Sequence, residues 1–188
     1  MRHLVIPDTQ CKPGYATEHL EWVGKYAAEK KPEVIVHLGD HWDMPSLSVY
    51  DVGKKAFEGR TYQSDITAGN LAMNRLMKPI VNEINRLKRN RKKTWNPKLV
   101  FLIGNHEQRI ERAIESDRKL EGLVGYNDFN LKQYGWEVQD FLDVKIINID
   151  VVLWDTFKTE LYHLVNGQTV LVLQESLLVS VTNMTKTT

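Results

Sequence analysis

A chain of 188 residues, 42% hydrophobic and 26% charged, has the size and composition of one globular domain with a full core, or of one domain plus a tail. Its net charge of +1 argues against a dedicated nucleic-acid or membrane-surface binder at the level of the whole chain, although local patches escape that test. Cys11 is the only cysteine, so no internal disulfide forms. That suits a reducing compartment. The N-terminal apolar run is too short for a signal peptide, and no window reaches the roughly 18 apolar residues of a membrane span. A cytoplasmic location is expected.

Residues 4–6 are a short apolar run that reads as a central strand, ended by Pro7, with Asp8, Thr9 and Gln10 just past it. Thr17 is placed as a helix N-cap, with Glu18 and Glu21 where a helix dipole favours acid. Leu20, Val23 and Ala27 form the buried stripe of that helix, and Lys30-Lys31-Pro32 ends it. Residues 34–38 are the second strand, capped by Gly39-Asp40-His41-Trp42-Asp43. Strand, helix, strand makes a βαβ unit with a right-handed crossover. Residues 45–60 look irregular. Residues 65–93 read as a long helix, since Met73, Leu76, Met77, Ile80, Ile84 and Leu87 recur at steps of three and four. Pro79 is expected to kink or split it. The basic run 86–93 at its end complements the helix dipole or forms a phosphate-backbone patch, the first being the simpler reading.

The stretch 99–109 organises the rest. Five unbroken apolar residues, 99–103, read as a strand buried on both faces of a parallel sheet. Gly104 then turns the backbone, and Asn105, His106 and Glu107 follow, three residues able to ligate metal or move protons. A helix-compatible run covers 108–118. Further strands are expected at 134–138 and 144–149. Beyond Asp150 the only charged residues are Asp155, Lys158, Glu160, Glu175 and Lys186. The segment 151–188 reads either as buried strands closing the sheet or as an atypical tail of the kind a truncated or frame-shifted end gives. The domain boundary is placed at residue 150.

Three strands thus end in three polar clusters, and in a parallel sheet those ends share one rim. Carboxylates of Asp8, Asp40 and Asp43, the Asn105 amide and the His106 imidazole would meet there. Such oxygen and imidazole donors suit Mn²⁺, Fe or Zn²⁺. The pattern resembles the calcineurin-like metallophosphoesterase family, whose signature runs Asp-x-His, Gly-Asp-x-x-Asp, Gly-Asn-His-Glu, a later single His and a Gly-His-x-His. The second and third blocks match in full at residues 39–43 and 104–107. The resemblance implies an α/β fold, a layered α/β/β/α sandwich whose C-terminal part is incomplete here. It implies a site of two divalent metal ions, Mn²⁺ first. Asp8 and Gln10 would bind one metal, Asp40 would bridge both, and Asn105 would bind the second. His106 would contact the scissile phosphate and protonate the leaving group, and Asp43 would hold and polarise His106. The substrate implied is a phosphomonoester or phosphodiester, a nucleotide or nucleic acid among them, cleaved by a metal-activated water.

Two departures stand out. Gln10 occupies the place of the family's histidine and is a weaker, uncharged donor. After His106 the only histidine is His163, which the spacing permits as the lone later ligand, and no Gly-His-x-His exists. The alternative function is therefore a catalytically impaired descendant that binds metal or nucleic acid. His3, His19 and His37 read as structural or surface residues, whereas His41 would face substrate or solvent. Arg109 and Arg112 flank the approach to the site, where a phosphate contact and a solvated helix face are equally good accounts.

Overall fold

The apolar runs of the N-terminal two-thirds assemble as a four-stranded parallel sheet. The computed structural model describes residues 2–148, 151–154, 164–165, 168–171 and 180–183. Strands β1 (His3–Ile6), β2 (Val34–His37), β3 (Lys98–Leu102) and β4 (Glu137–Gln139) lie side by side in chain order. Ile6 stands opposite His37, and His37 opposite Phe101, so β1, β2 and β3 end level with one another. Helices α1 (Glu18–Lys30) and α2 (Tyr62–Arg89) make the first two crossovers, and α3 (Arg109–Ser116) with the single turn α4 (Leu131–Tyr134) makes the third.

Strand order without reversal has a consequence. Right-handed crossovers that always step the same way put every connecting helix on the same face. The core follows that logic: Ile35, Leu99, Phe101 and Ile103 bury against Leu20, Ala27, Leu76, Met77 and Ile80. Alternate residues Val34, Val36, Val100 and Leu102 are buried on the opposite face. The expected strand at 99–103, buried on both sides, is what β3 is.

The long helix departs from expectation at Pro79. It runs through the proline as one element and begins three residues earlier than the spacing predicted. An internal proline costs about 3 kcal/mol, while each fully buried Leu, Ile or Met contributes about 1.5–3 kcal/mol. Met73, Leu76, Met77 and Ile80 are essentially inaccessible around Pro79, so packing outweighs the break. Thr61 caps the start, its hydroxyl oxygen accepting from the Ser64 N–H. Thr17 does stand at the N-cap of α1, but its hydroxyl accepts from Arg75 Nη1 instead of capping. The basic run 86–93 closes α2 and leads toward the start of β3, which puts it at the edge of the sheet opposite the strand ends that carry the polar clusters.

The expected strand at 134–138 begins later. Tyr134 closes α4, Gly135 takes the left-handed conformation that ends the turn, and β4 starts at Glu137. Then the pairing changes sense. β5 (Val144–Asn148) pairs antiparallel with β6 (Val151–Trp154), and β7 (Leu164–Val165), β8 (Gln168–Leu171) and β9 (Ser180–Asn183) form an antiparallel three-stranded sheet. Among the described residues no helix is long and apolar enough to cross a membrane.

Candidate functional site

The rim is built around two glycines. Gly39, two residues past β2, turns the chain at φ +90, a backbone region that side chains avoid. A Cβ on it would lie 2.5 Å from the Gly104 nitrogen, and a Cβ on Gly104 would lie 2.2 Å from Asp40 Oδ1. Only glycine at both places lets the turns after β2 and β3 touch. Asp40 Oδ1 can then accept from the His106 N–H at 2.8 Å. Glu107 locks the two turns together. It is fully buried; Oε1 accepts from the His41 and Trp42 N–H groups at 2.7 and 2.9 Å, and Oε2 from those of Asp40 and Gly104 at 2.9 and 3.0 Å. Burial and the nearby Asp40 raise its carboxyl to about 8. The four donors favour the ionised form, because a proton on either oxygen would face an N–H. Glu107 is therefore a clamp on the backbone and not a metal ligand.

The loop after β1 is laced onto the same turn. The Gln10 and Cys11 N–H groups donate to the Asp40 and His41 carbonyls at 2.8 and 2.7 Å, and the Asp43 N–H returns to the Cys11 carbonyl at 3.1 Å. Gln10, Asp40 and Met44 all have positive φ, at 39, 50 and 48, so backbone strain concentrates here. Strain of that kind costs about 1–3 kcal/mol per residue and collects at functional sites. Beneath the loop runs a relay of neutral groups. The Gly39 N–H donates to His37 Nδ1 at 3.2 Å, so His37 carries its proton on Nε2, which stands 3.4 Å from Thr9 Oγ1. His41 Nε2 donates to the Gly69 carbonyl at 3.0 Å, so its Nδ1 accepts from the Thr9 hydroxyl at 2.7 Å. Every partner is matched. Burial lowers both imidazoles, His41 to about 4. His41 is fully buried, and the expectation that it faces substrate or solvent is corrected: its ring ties Thr9 to α2. Cys11 is buried too, and burial pushes its thiol up to about 11, which disqualifies it as a nucleophile.

Asp8 and Gln10 meet at the exposed lip, Gln10 Nε2 donating to Asp8 Oδ2 at 2.8 Å. Partial burial, then the facing carboxylates of Asp40 and Asp43, raise the Asp8 carboxyl above its ordinary value against the Gln10 hydrogen bond. Asp43 is the opposite case. Burial opposes its ionisation, but His106 and Lys12 outweigh it and hold the carboxyl at about 2. His106 Nδ1 lies 2.7 Å from Asp43 Oδ1, and Lys12 Nζ 2.7 Å from Oδ2. For His106 burial lowers basicity, yet the Asp43 hydrogen bond and the Asp40 charge leave the imidazole raised. Asn105 is half-buried at the same rim, and its carbonyl accepts from Arg112 Nη2.

The family model of the calcineurin-like phosphoesterases matches residues 1–179. The chain belongs to that family. No curated protein and no solved structure matches it. Members of the calcineurin-like phosphoesterase family act on phosphoesters with divalent metals, so the donor set has to be tested against such an ion. Among the described residues no three His, Cys, Asp or Glu side chains are grouped as a metal would require. The like charges of Asp8 and Asp40 nevertheless repel one another, with the Gln10 side-chain amide bonded to Asp8. Hard oxygen donors in that arrangement fit a divalent cation. Of the residues expected from sequence, the fold brings together Asp8, Gln10, Asp40, Asp43, Asn105 and His106. His163 lies outside the described residues. Sequence reasoning missed Lys12, the Thr9–His37–His41 relay and the inward turn of Glu107. Only Glu107 carried a signal, as the fixed last residue of a matched block.

Proposed function

We propose that this chain is a metal-dependent hydrolase of phosphomonoesters or phosphodiesters, nucleotides among them. The observation that carries the reading is the Asp43–His106 pair: an acid held at about 2 and an imidazole raised above its usual value, 2.7 Å apart, beside Asp40. Asp8, Asp40, Gln10 and Asn105 would hold the metal, Mn²⁺ first, with Fe or Zn²⁺ as alternatives. Asp40 and His163 would help to hold a second ion of a two-metal site. A divalent ion there supplies positive charge for the phosphoryl oxygens and lowers the pKa of water toward neutrality.

The protein's own groups do the rest. Asp43 fixes the His106 ring through Nδ1 and leaves Nε2 free for the substrate. Protonated, His106 gives that proton to the leaving oxygen, and Asp43, ionised throughout, stabilises the imidazolium. Lys12 neutralises the second Asp43 oxygen. The Glu107 clamp keeps Asp40 in register with His106. The unit carrying this chemistry is residues 1–150, with 151–188 an atypical segment beside it, and the single buried thiol suits a cytoplasmic setting.

The competing reading is a relative that binds metal or nucleic acid without turnover. It is favoured by Gln10 and by the lack, among the described residues, of a three-member ligand group. The test is hydrolysis of an aryl phosphodiester and an aryl phosphomonoester with added Mn²⁺. Turnover should require the metal, vanish in Asp40→Asn, and fall by about 10²–10⁴ in His106→Asn, the usual worth of general acid catalysis. A folded wild-type protein that turns over neither ester, or turnover surviving in Asp40→Asn, overturns the hydrolytic reading.

A further inference from the structure

Beside the Asp43–His106 pair stands a cation that the hydrolytic reading does not use. Arg109 opens α3, and its side chain is only 16% exposed. Its Nη1 donates to the Asp43 carbonyl at 2.7 Å, with the Met44 carbonyl at 3.4 Å. Its Nη2 lies 3.4 Å from His106 Nε2, the nitrogen that Asp43 leaves free. The guanidinium's nearest carboxylate oxygen, Asp43 Oδ1, is 3.8 Å away.

Those distances set the chemistry. At 3.4 Å the contact from Nη2 to Nε2 is too long for a strong charge-assisted hydrogen bond, so Nη2 keeps donor capacity that an anionic oxygen would take up. A cleft of about 420 Å³ reaches Arg109 from the side of Asp43, lined also by Lys12 and Arg60. Lys12 and Arg60 are already neutralised, by Asp43 and Asp51, each at 2.7 Å. Arg109 is the least compensated of the three cations.

We propose that Arg109 is an oxyanion-binding residue: Nη1 stays on the Asp43 carbonyl while Nη2 donates to a non-bridging oxygen of a phosphoryl group, beside the leaving oxygen that His106 Nε2 serves. The choice of ligand rests on the hydrolytic reading. The planar fork matters, because Nη1 holds the Asp43 carbonyl while Nη2 stays free; the single nitrogen of a lysine reaches one or the other. The simpler role is a strut for the turn at Asp43 and Met44, which would act on stability alone.

The experiment titrates inorganic phosphate calorimetrically into the full chain with Mn²⁺ present. It compares wild type, Arg109→Gln, Arg109→Lys and the surface control Arg118→Gln, with unfolding midpoints and aryl-ester turnover measured on each. Phosphate affinity should fall about tenfold or more in both Arg109 variants, the weight of a charge-assisted hydrogen bond, and stay unchanged in the control. The lysine variant keeps a charge and one donor for the turn, so its midpoint should stay near wild type. Arg109-dependent phosphate binding without turnover in any protein upholds the oxyanion site and defeats the hydrolytic reading. Turnover with phosphate affinity equal in all four proteins does the reverse. No saturable phosphate binding by the wild type overturns the oxyanion site as well.

Discussion

His41 carries its Nε2 proton toward the Gly69 carbonyl and accepts from Thr9 at Nδ1, a pattern that only the neutral ring can satisfy. Burial drives its pKa to about 4, against 6.5 when exposed in the unfolded chain. Between those values the unfolded state binds a proton that the folded state refuses. Acid therefore favours unfolding: stability is lost as pH falls from 6.5 toward 4, by up to about 1.4 kcal/mol per pH unit. Urea unfolding between pH 7 and 4.5 should show a shallower acid decline in His41→Gln than in wild type; superimposable declines would remove the relay from the account. How far the site was legible varies by residue for a physical reason. Asp40, Asp43 and His106 sit in contiguous blocks whose spacing on strand ends is the chemistry, so the sequence displays them. Lys12 and Thr9 act on partners about 30 residues away, and nothing local in the chain announces such a contact. The same holds for Arg109, whose place on a helix face fits a solvated residue equally well until the turn at Asp43 is seen against it.

At the scale of elements, apolar runs bounded by glycine or proline gave three of the four parallel strands, while β4 slipped because a helical turn borrowed its first residues. α2 shows where periodicity reaches its limit. Its stripe was legible, but the weight of packing around Pro79 was not, since that depends on what α1 and the sheet bring against it. The meeting of α2 with the turn after β2 is tighter still. A Cβ on Gly69 would lie 2.0 Å from the Trp42 ring, which is itself stacked on Phe129 with centroids 4.0 Å apart. Gly69→Ala would normally help a helix by up to about 1 kcal/mol. Here overpacking should win, destabilising the fold by about 1–3 kcal/mol and displacing Trp42 together with the neighbouring Asp43. Chemical unfolding gives the first effect, and a loss of aryl-ester turnover out of proportion to the stability change gives the second. A Gly69→Ala protein as stable as wild type would show that the helix simply moves aside.

For the molecule as a whole, the scarcity of charge beyond Asp150 admitted two accounts, because a buried layer and a foreign tail are both poor in charge. The family match runs on to residue 179, past that change in composition. The site itself sets stability against function in a way that can be measured on the intact chain. Asp8 stands at the lip facing Asp40 and Asp43, and those like charges raise its carboxyl once burial has done so. In the metal-free protein that repulsion works against folding, so Asp8→Asn should unfold at the same temperature as wild type or higher. A ligand that binds only the folded state adds RT ln(1 + [L]/Kd), about 2.7 kcal/mol at a hundredfold excess over Kd. Mn²⁺ should therefore raise the wild-type midpoint clearly and the Asp8→Asn midpoint far less, reversing their order. Such a reversal is the mark of a residue kept for its charge at the expense of the fold. Equal metal-induced shifts in the two proteins would detach Asp8 from the ion and move the search for its ligands to the rest of the rim.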